Sequence, residues 1–302
     1  MITNKSNTNK IVFFGTPAFA VTILEELKKT GVMPALIVTA PDKPQGRGLT
    51  LTPPPVKIWA QENNIKFIQP TTLKEGSAEK TSQIFELFTE SWDLFIVAAY
   101  GKIIPENILE IPKHKTLNVH PSLLPKFRGP SPIEANILND DQDIGVSIMH
   151  LDKEMDHGPI VVQEKIPIEK IGTWPVEAPT LENIAAHTGG ELLAKMIPDW
   201  ISGKIIEKEQ NHTKATYCKK ITKTDGLIDL NNNPYANYLK ICAYSGWPGT
   251  YFFKELGGKN AGKNIRVTIK QASYQDGQLT IKTVVPEGKP EMSYSDFLRG
   301  VK

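Results

Sequence analysis

The residues able to do chemistry begin where the apolar run Thr116–His120 ends. Asn118 and His120 stand two apart on what reads as a strand, so both side chains point to one face. An amide donor beside an imidazole can stabilise charge on an oxygen and move a proton. The segment that follows, Pro121-Ser122-Leu123-Leu124-Pro125, cannot continue a sheet, because two prolines impose a rigid turn. Further on, Leu151–Gly158 forms an acidic loop after another strand-like run, with Asp152, Glu154 and Asp156 in it, and a carboxylate there could pair with His120. The same Asn-x-His spacing also suits a satisfied polar pair at a strand end with no chemistry at all.

Those residues need a scaffold. Ile11–Gly15, Ala35–Thr39, Leu94–Ala98 and Thr116–His120 are short continuous apolar runs, the mark of strands buried on both faces. Helical spacing follows the first run, with Thr16 expected as N-cap and Pro17 as the first helical residue. Helices are also expected over Val56–Glu62 and Glu79–Thr89, with a short strand at Lys66–Ile68. The repeated βα units predict a doubly wound, mostly parallel α/β sheet. Its candidate residues then lie at the carboxyl ends of strands, where such sheets bind ligands. Val146–His150 and Ile160–Ile168 alternate more strictly and predict antiparallel additions. Leu181–Trp200 reads as a helix despite Gly189 and Gly190. The Pro- and Gly-rich stretch from Pro41 to Pro55 reads as a long loop.

From Ser202 to Ala215 the chain is polar and reads as a linker. Beyond it, Asn233-Pro234 starts a helix. Thr250–Glu255, Asn264–Ala272 and Gln278–Val284 alternate as short strands, with Asp276-Gly277 as a hairpin turn. Ser293 to Asp296 reads as a capping box. This pattern predicts a small all-β OB-like barrel. The expected organisation is a catalytic domain over 1–203, a linker over 204–215 and a second domain over 216–302.

The whole chain of 302 residues carries a net charge of +2, which excludes a strongly basic DNA-wrapping protein. From Lys204 onward there are 16 Lys and Arg against 9 Asp and Glu, a local net of +7. That asymmetry points to a polyanionic partner or simply to a soluble surface. Two cysteines, Cys218 and Cys242, cannot alone build a disulfide framework or a four-ligand zinc site. No metal is expected. Pro17 and Ala20 stand where the second and third glycines of a dinucleotide fingerprint belong, so NAD binding is disfavoured. No apolar run is long enough for a membrane span, and a cytoplasmic location is expected.

Asn-x-His followed by Ser-Leu-Leu-Pro, with Asp-x-Gly placed so that Asp156 lies 36 residues beyond His120, resembles the formyltransferases that use 10-formyltetrahydrofolate. FFGTPAFA (13–20), TAPDKPQGRGLTLTPPPVK (39–57), VAAYGKIIP (97–105), GWPGTYF (246–252) and PEGKPEMSYSDFLRG (286–300) are similar to the methionyl-tRNA formyltransferases within that family. The resemblance implies a Rossmann-like formyltransferase domain and an enzyme acting on initiator methionyl-tRNA in translation initiation. It implies Asn118, His120 and Asp156 as the catalytic triplet, and 10-formyltetrahydrofolate as donor. Ser122, Leu123, Leu124 and Pro125, with Tyr100 and Gly101, are implied at the folate site. Arg47 and Lys43, in the 41–55 loop, are implied at the tRNA, as is the C-terminal module. A monomer is expected. The alternative acceptor is a sugar nucleotide or another small amine; a non-catalytic nucleic-acid-binding protein is the competing class.

Overall fold

The apolar runs form the strands expected of them. In a computed structural model, residues 9–46, 48–73, 84, 87, 89–257 and 262–300 are described. The helix expected over Glu79–Thr89 falls largely outside the described residues, and so does Arg47. Contacts group the chain into two units that interleave in sequence. The first comprises 1–129, 145–166 and 183–217; the second comprises 130–144, 167–182 and 218–302.

The first unit is built on seven strands: β1 (Ile11–Gly15), β2 (Leu36–Val38), then, after a separate ribbon of β3 (Lys43–Gln45) and β4 (Thr50–Thr52), β5 (Lys66–Ile68), β6 (Leu94–Ala98), β7 (Thr116–His120), β8 (Gly145–His150) and β9 (Ile160–Lys165). Their spatial order is β5-β2-β1-β6-β7-β8-β9. Pairing is parallel from β5 to β7 and antiparallel from β7 to β9. Every residue of β1 and β6 is buried, as expected of parallel strands covered on both faces. Val12 and Phe14 pack with Phe95, Val97 and Tyr100 on one face.

Helix Ala18–Lys29 starts one residue later than its sequence predicts, and Thr16 does not cap it. The Thr16 hydroxyl instead donates to the Tyr100 carbonyl (3.1 Å), which ties the turn after β1 to the turn after β6. The helix Ala178–Ile201 is continuous through Gly189 and Gly190. A Cβ at Gly189 would strike Val119 and Val146, and one at Gly190 would strike Ile23 and Glu26. The glycines that weaken helical propensity are thus the ones that let this helix approach the sheet and its neighbour. The stretch from Pro41 to Pro55 is not a plain loop but contains the ribbon of β3 and β4, registered Lys43 to Thr52. Asp42 at its base accepts from Gln69 Nε2 and Lys57 Nζ, and these two partners, Gln69 foremost, hold its carboxyl below the ordinary range.

The second unit has an antiparallel sheet of β10 (Thr250–Glu255), β11 (Asn264–Gln275), β12 (Gln278–Pro286) and β13 (Met292–Ser293). Asn233 caps helix Pro234–Ala243 through its side-chain oxygen, which accepts from Tyr235 N and Ala236 N. Asp276 and Gly277 both take positive φ, as the two-residue hairpin demands. Ser293 Oγ accepts from Asp296 N (3.1 Å), closing the expected cap. Phe252, Val267, Ile269, Val284 and Phe297 make its core. Among the described residues no helix is long and apolar enough to cross a membrane.

Candidate active site

β7 lies between parallel β6 and antiparallel β8, so its carboxyl end is the last parallel one in the sheet. Asn118 and His120 sit at that end. His120 is 4% exposed, and its Nε2 lies 3.0 Å from the Phe127 carbonyl. A carbonyl can only accept, so Nε2 carries the proton. Nδ1 is left facing Asp156 Oδ1 at 3.7 Å, with a lone pair when the ring is neutral and a proton when it is charged. Nδ1 is therefore the atom that can take up or release a proton here.

Asp156 reaches the same point from the loop after β8. It holds φ of +50°, a left-handed conformation that aspartate tolerates better than most residues. Its Oδ2 accepts from Gly129 N (2.8 Å), and its Oδ1 accepts from Asn118 Nδ2 at a long 3.4 Å. The Asp-x-Gly pairing has a steric cause. A Cβ at Gly158 would sit on the His150 carbonyl oxygen, so only glycine lets the loop turn back against β8.

The Ser-Leu-Leu-Pro turn is fixed by one buried hydroxyl. Ser147 Oγ on β8 donates to Ser122 O (2.6 Å) and accepts from Leu124 N (3.0 Å) and Gln163 Nε2 (2.8 Å). Gln163 Nε2 also donates to Leu124 O (2.9 Å). A Cβ at residue 145 would strike the Glu164 carbonyl oxygen and the Leu123 side chain, which is why Gly145 is glycine. The Ser122 hydroxyl is buried and donates to Lys126 O (2.6 Å), so it serves the turn itself. Leu124 is buried, while Leu123 and Pro125 are half-buried.

Tyr100 and Gly101 follow β6. Tyr100 is 3% exposed, and its hydroxyl has no hydrogen-bond partner among the described residues. Burial raises its phenol well above the ordinary value, so it stays a donor. Gly101 takes φ of +76° and is exposed. Lys43 lies exposed on β3. The structure thus brings Asn118, His120 and Asp156 together; for Arg47 it describes nothing.

Two residues beside Asp156 escaped the sequence reading. Arg128 is 1% exposed, and Gln210 is 4% exposed in the very stretch that read as a linker. That stretch is paired with the sheet edge, since Ile160 and Lys208 exchange both backbone hydrogen bonds at 2.8 Å. It carries no apolar periodicity because backbone pairing and one buried amide hold it, not an apolar face. His157 is also held in place: its Nδ1 lies 2.7 Å from Asp152 Oδ2, and its ring stacks on His212 at 4.2 Å. Among the described residues, no group of three or more His, Cys, Asp or Glu side chains could hold a metal ion.

Residues 9–195 match the Formyl transferase family. The chain is 37% identical to a methionyl-tRNA formyltransferase of Herpetosiphon aurantiacus, covering 97% of this chain and 98% of that protein. It is 36% identical to the methionyl-tRNA formyltransferase of Listeria welshimeri, covering 96% of this chain and 95% of that one. An N-formyltransferase of Helicobacter canadensis, solved with folinic acid and dTDP-3-aminofucose, superimposes with a TM-score of 0.59. That similarity covers 90% of this chain and 98% of the other at 20% identity, and it bears on the fold alone.

Proposed function

The chain belongs to the formyl transferase family and, within it, to the methionyl-tRNA formyltransferases, and from that premise we propose that it transfers a formyl group from 10-formyltetrahydrofolate to the free amine of initiator methionyl-tRNA. The observation that carries this reading is similarity at 36–37% identity running through both units, not the catalytic part alone. A sugar-nucleotide formyltransferase could share the fold and the triplet. What favours the tRNA reading over it is that end-to-end similarity to methionyl-tRNA enzymes.

The folate supplies the formyl carbon: the amine adds to it, the bond to the folate nitrogen then breaks, and that nitrogen leaves with the proton the amine gives up. The buried Tyr100 hydroxyl, which has no partner among the described residues, fits a polar ligand nearby, since a buried donor without an acceptor is otherwise disfavoured. Ser122, Leu123, Leu124 and Pro125 form the fixed turn against which the folate would lie, with Tyr100 and Gly101 on the neighbouring strand end. The protein's own contribution is charge and proton handling. Asn118 Nδ2 spends one hydrogen on Asp156 at 3.4 Å. Its other hydrogen is available to an oxygen that gains negative charge as the amine attacks. A preorganised donor of this kind is worth ~3–4 kcal/mol in a transition state. His120 takes or returns a proton at Nδ1 while Nε2 stays on the Phe127 carbonyl. Asp156 orients His120, favours its charged form during the step, and can pass a proton from the incoming ammonium.

The finer assignments belong to the same proposal. Residues 1–203 carry the transfer, 204–215 pair with the edge of its sheet on the way to the second domain, and 216–302 form an OB-like tRNA-binding domain whose basic excess suits phosphate contacts. Lys43 and Arg47 in the 41–55 segment engage the acceptor stem. The enzyme acts in the cytoplasm as a monomer. One assay tests the reading: supply 10-formyltetrahydrofolate with Met-tRNA, free methionine or an amino-sugar nucleotide. Formylation of Met-tRNA alone is expected. Turnover of the amino sugar without turnover of Met-tRNA refutes it.

A further inference from the structure

The carboxylate of Asp156 is held by Gly129 N–H, but its backbone is held by something else. Gln210 Nε2 donates to Asp156 O (2.9 Å) and to Gly158 O (2.7 Å). Gln210 Oε1 accepts from Arg128 Nε (3.1 Å) and Nη2 (2.8 Å). All the hydrogen-bonding capacity of this buried amide is therefore spent, on two carbonyls of the Asp156 loop and on one guanidinium. Arg128 is the covalent neighbour of Gly129. The contacts consequently close into a ring: Asp156 carboxylate to Gly129, Gly129 to Arg128, Arg128 to Gln210, and Gln210 back to the Asp156 carbonyl.

Arg128 is in turn fixed from several sides. Its Nη1 donates to Tyr217 Oη (3.2 Å), and its Nη2 lies 2.9 Å from His212 Nδ1. Its backbone N donates to Thr216 O (2.9 Å), and Phe127 N donates to Thr216 Oγ1 (2.8 Å). Phe127 supplies the carbonyl that fixes His120. The chain from Gln210 to Tyr217 thus holds both partners of the Asp156–His120 pair, Asp156 through the ring and His120 through Thr216 and Phe127.

We infer that Gln210 is a positioning residue for Asp156, acting from outside the catalytic triplet by clamping the backbone of its loop to Arg128. The inference rests on the reading of Asp156 as part of the catalytic site. Asp156 needs such a clamp, because beyond the one bond from Gly129 N its carboxylate has only long contacts to Asn118 and His120, and its backbone is left-handed. A misplacement on the scale of 1 Å costs up to ~100-fold in rate.

The test is a double-mutant cycle on the full chain, with 10-formyltetrahydrofolate and Met-tRNA. Gln210→Met removes every hydrogen bond at similar length and is expected to lower kcat by ~10–100-fold with KM for Met-tRNA little changed. In an Asp156→Asn background the same change is expected to cost less than about twofold, because the group it positions has already been lost. A merely structural glutamine would cost the same in both backgrounds, and that additive result overturns the inference. Gln210→Glu keeps an acceptor for Arg128 but loses both donors, and it carries the same cycle if the methionine variant fails to fold. Wild-type kcat in Gln210→Glu also overturns the inference. Wild-type kcat in Asp156→Asn alone instead overturns the catalytic reading of Asp156, and with it the role of Gln210, so the two failures are distinguishable.

Discussion

Replacing Asp156 by asparagine removes one negative charge and keeps the side-chain shape. The oxygen that accepts from Gly129 N can remain, so the loop keeps its anchor. What is lost is the attraction between the carboxylate and a His120 ring carrying its second proton. At the observed 3.7 Å separation, an effective dielectric of 20 gives about 4 kcal/mol for a full charge pair. The asparagine oxygen, as a dipole end, returns part of this, leaving about 3 kcal/mol, or roughly a hundredfold in kcat. His120→Ala and Asn118→Ala are expected to fall by ~100-fold or more, because each removes a donor or a proton carrier from the same point. The measurement is single-turnover formyl transfer to Met-tRNA at saturating donor, alongside a thermal melt of each variant. An Asp156→Asn protein that melts like wild type and turns over within about threefold of it would refute the electrostatic argument.

Gly158→Ala puts a Cβ against the His150 carbonyl and is expected to destabilise the fold by about 1–3 kcal/mol while lowering kcat; an unchanged melting temperature would show that the loop can yield. Burial alone would raise the Glu26 carboxyl, but its contacts to Lys29 Nζ (2.7 Å) and His187 Nδ1 (2.6 Å) outweigh that and hold it below its ordinary 4.5. Its stabilisation is therefore present above that value and lost as pH falls through the lower folded one; a Glu26→Gln variant should melt earlier than wild type near neutral pH, with the gap closing as pH falls below 4.5. Arg47→Ala should lower kcat/KM for Met-tRNA by at least ~10-fold without changing donor KM, and equal activity would remove the 41–55 segment from the tRNA contact.

The strands of the parallel sheet were legible because burial on both faces leaves an unbroken apolar run, as in Ile11–Gly15 and Leu94–Ala98. Asn118 and His120 were legible for a related reason: polar groups ending such a run are unusual, and a period of two fixes them on one face. The order of the strands was not legible, since neighbours in the sheet are paired across the chain and local pattern carries no record of which strand pairs with which. The division of the chain was drawn in the sequence as a line near residue 203, because composition changes there. The contacts group 130–144 and 167–182 with the C-terminal residues instead, and local pattern carries no record of such long-range association. Only the tertiary structure gave Gly129, Arg128 and Gln210 their place around Asp156. A buried glutamine in a polar stretch has no periodicity to betray it, and its burial follows from partners 54 and 82 residues away along the chain. Sequence determines which side chains can do the chemistry; the fold decides which backbone carbonyls and amides hold them still, because those groups are the same at every residue.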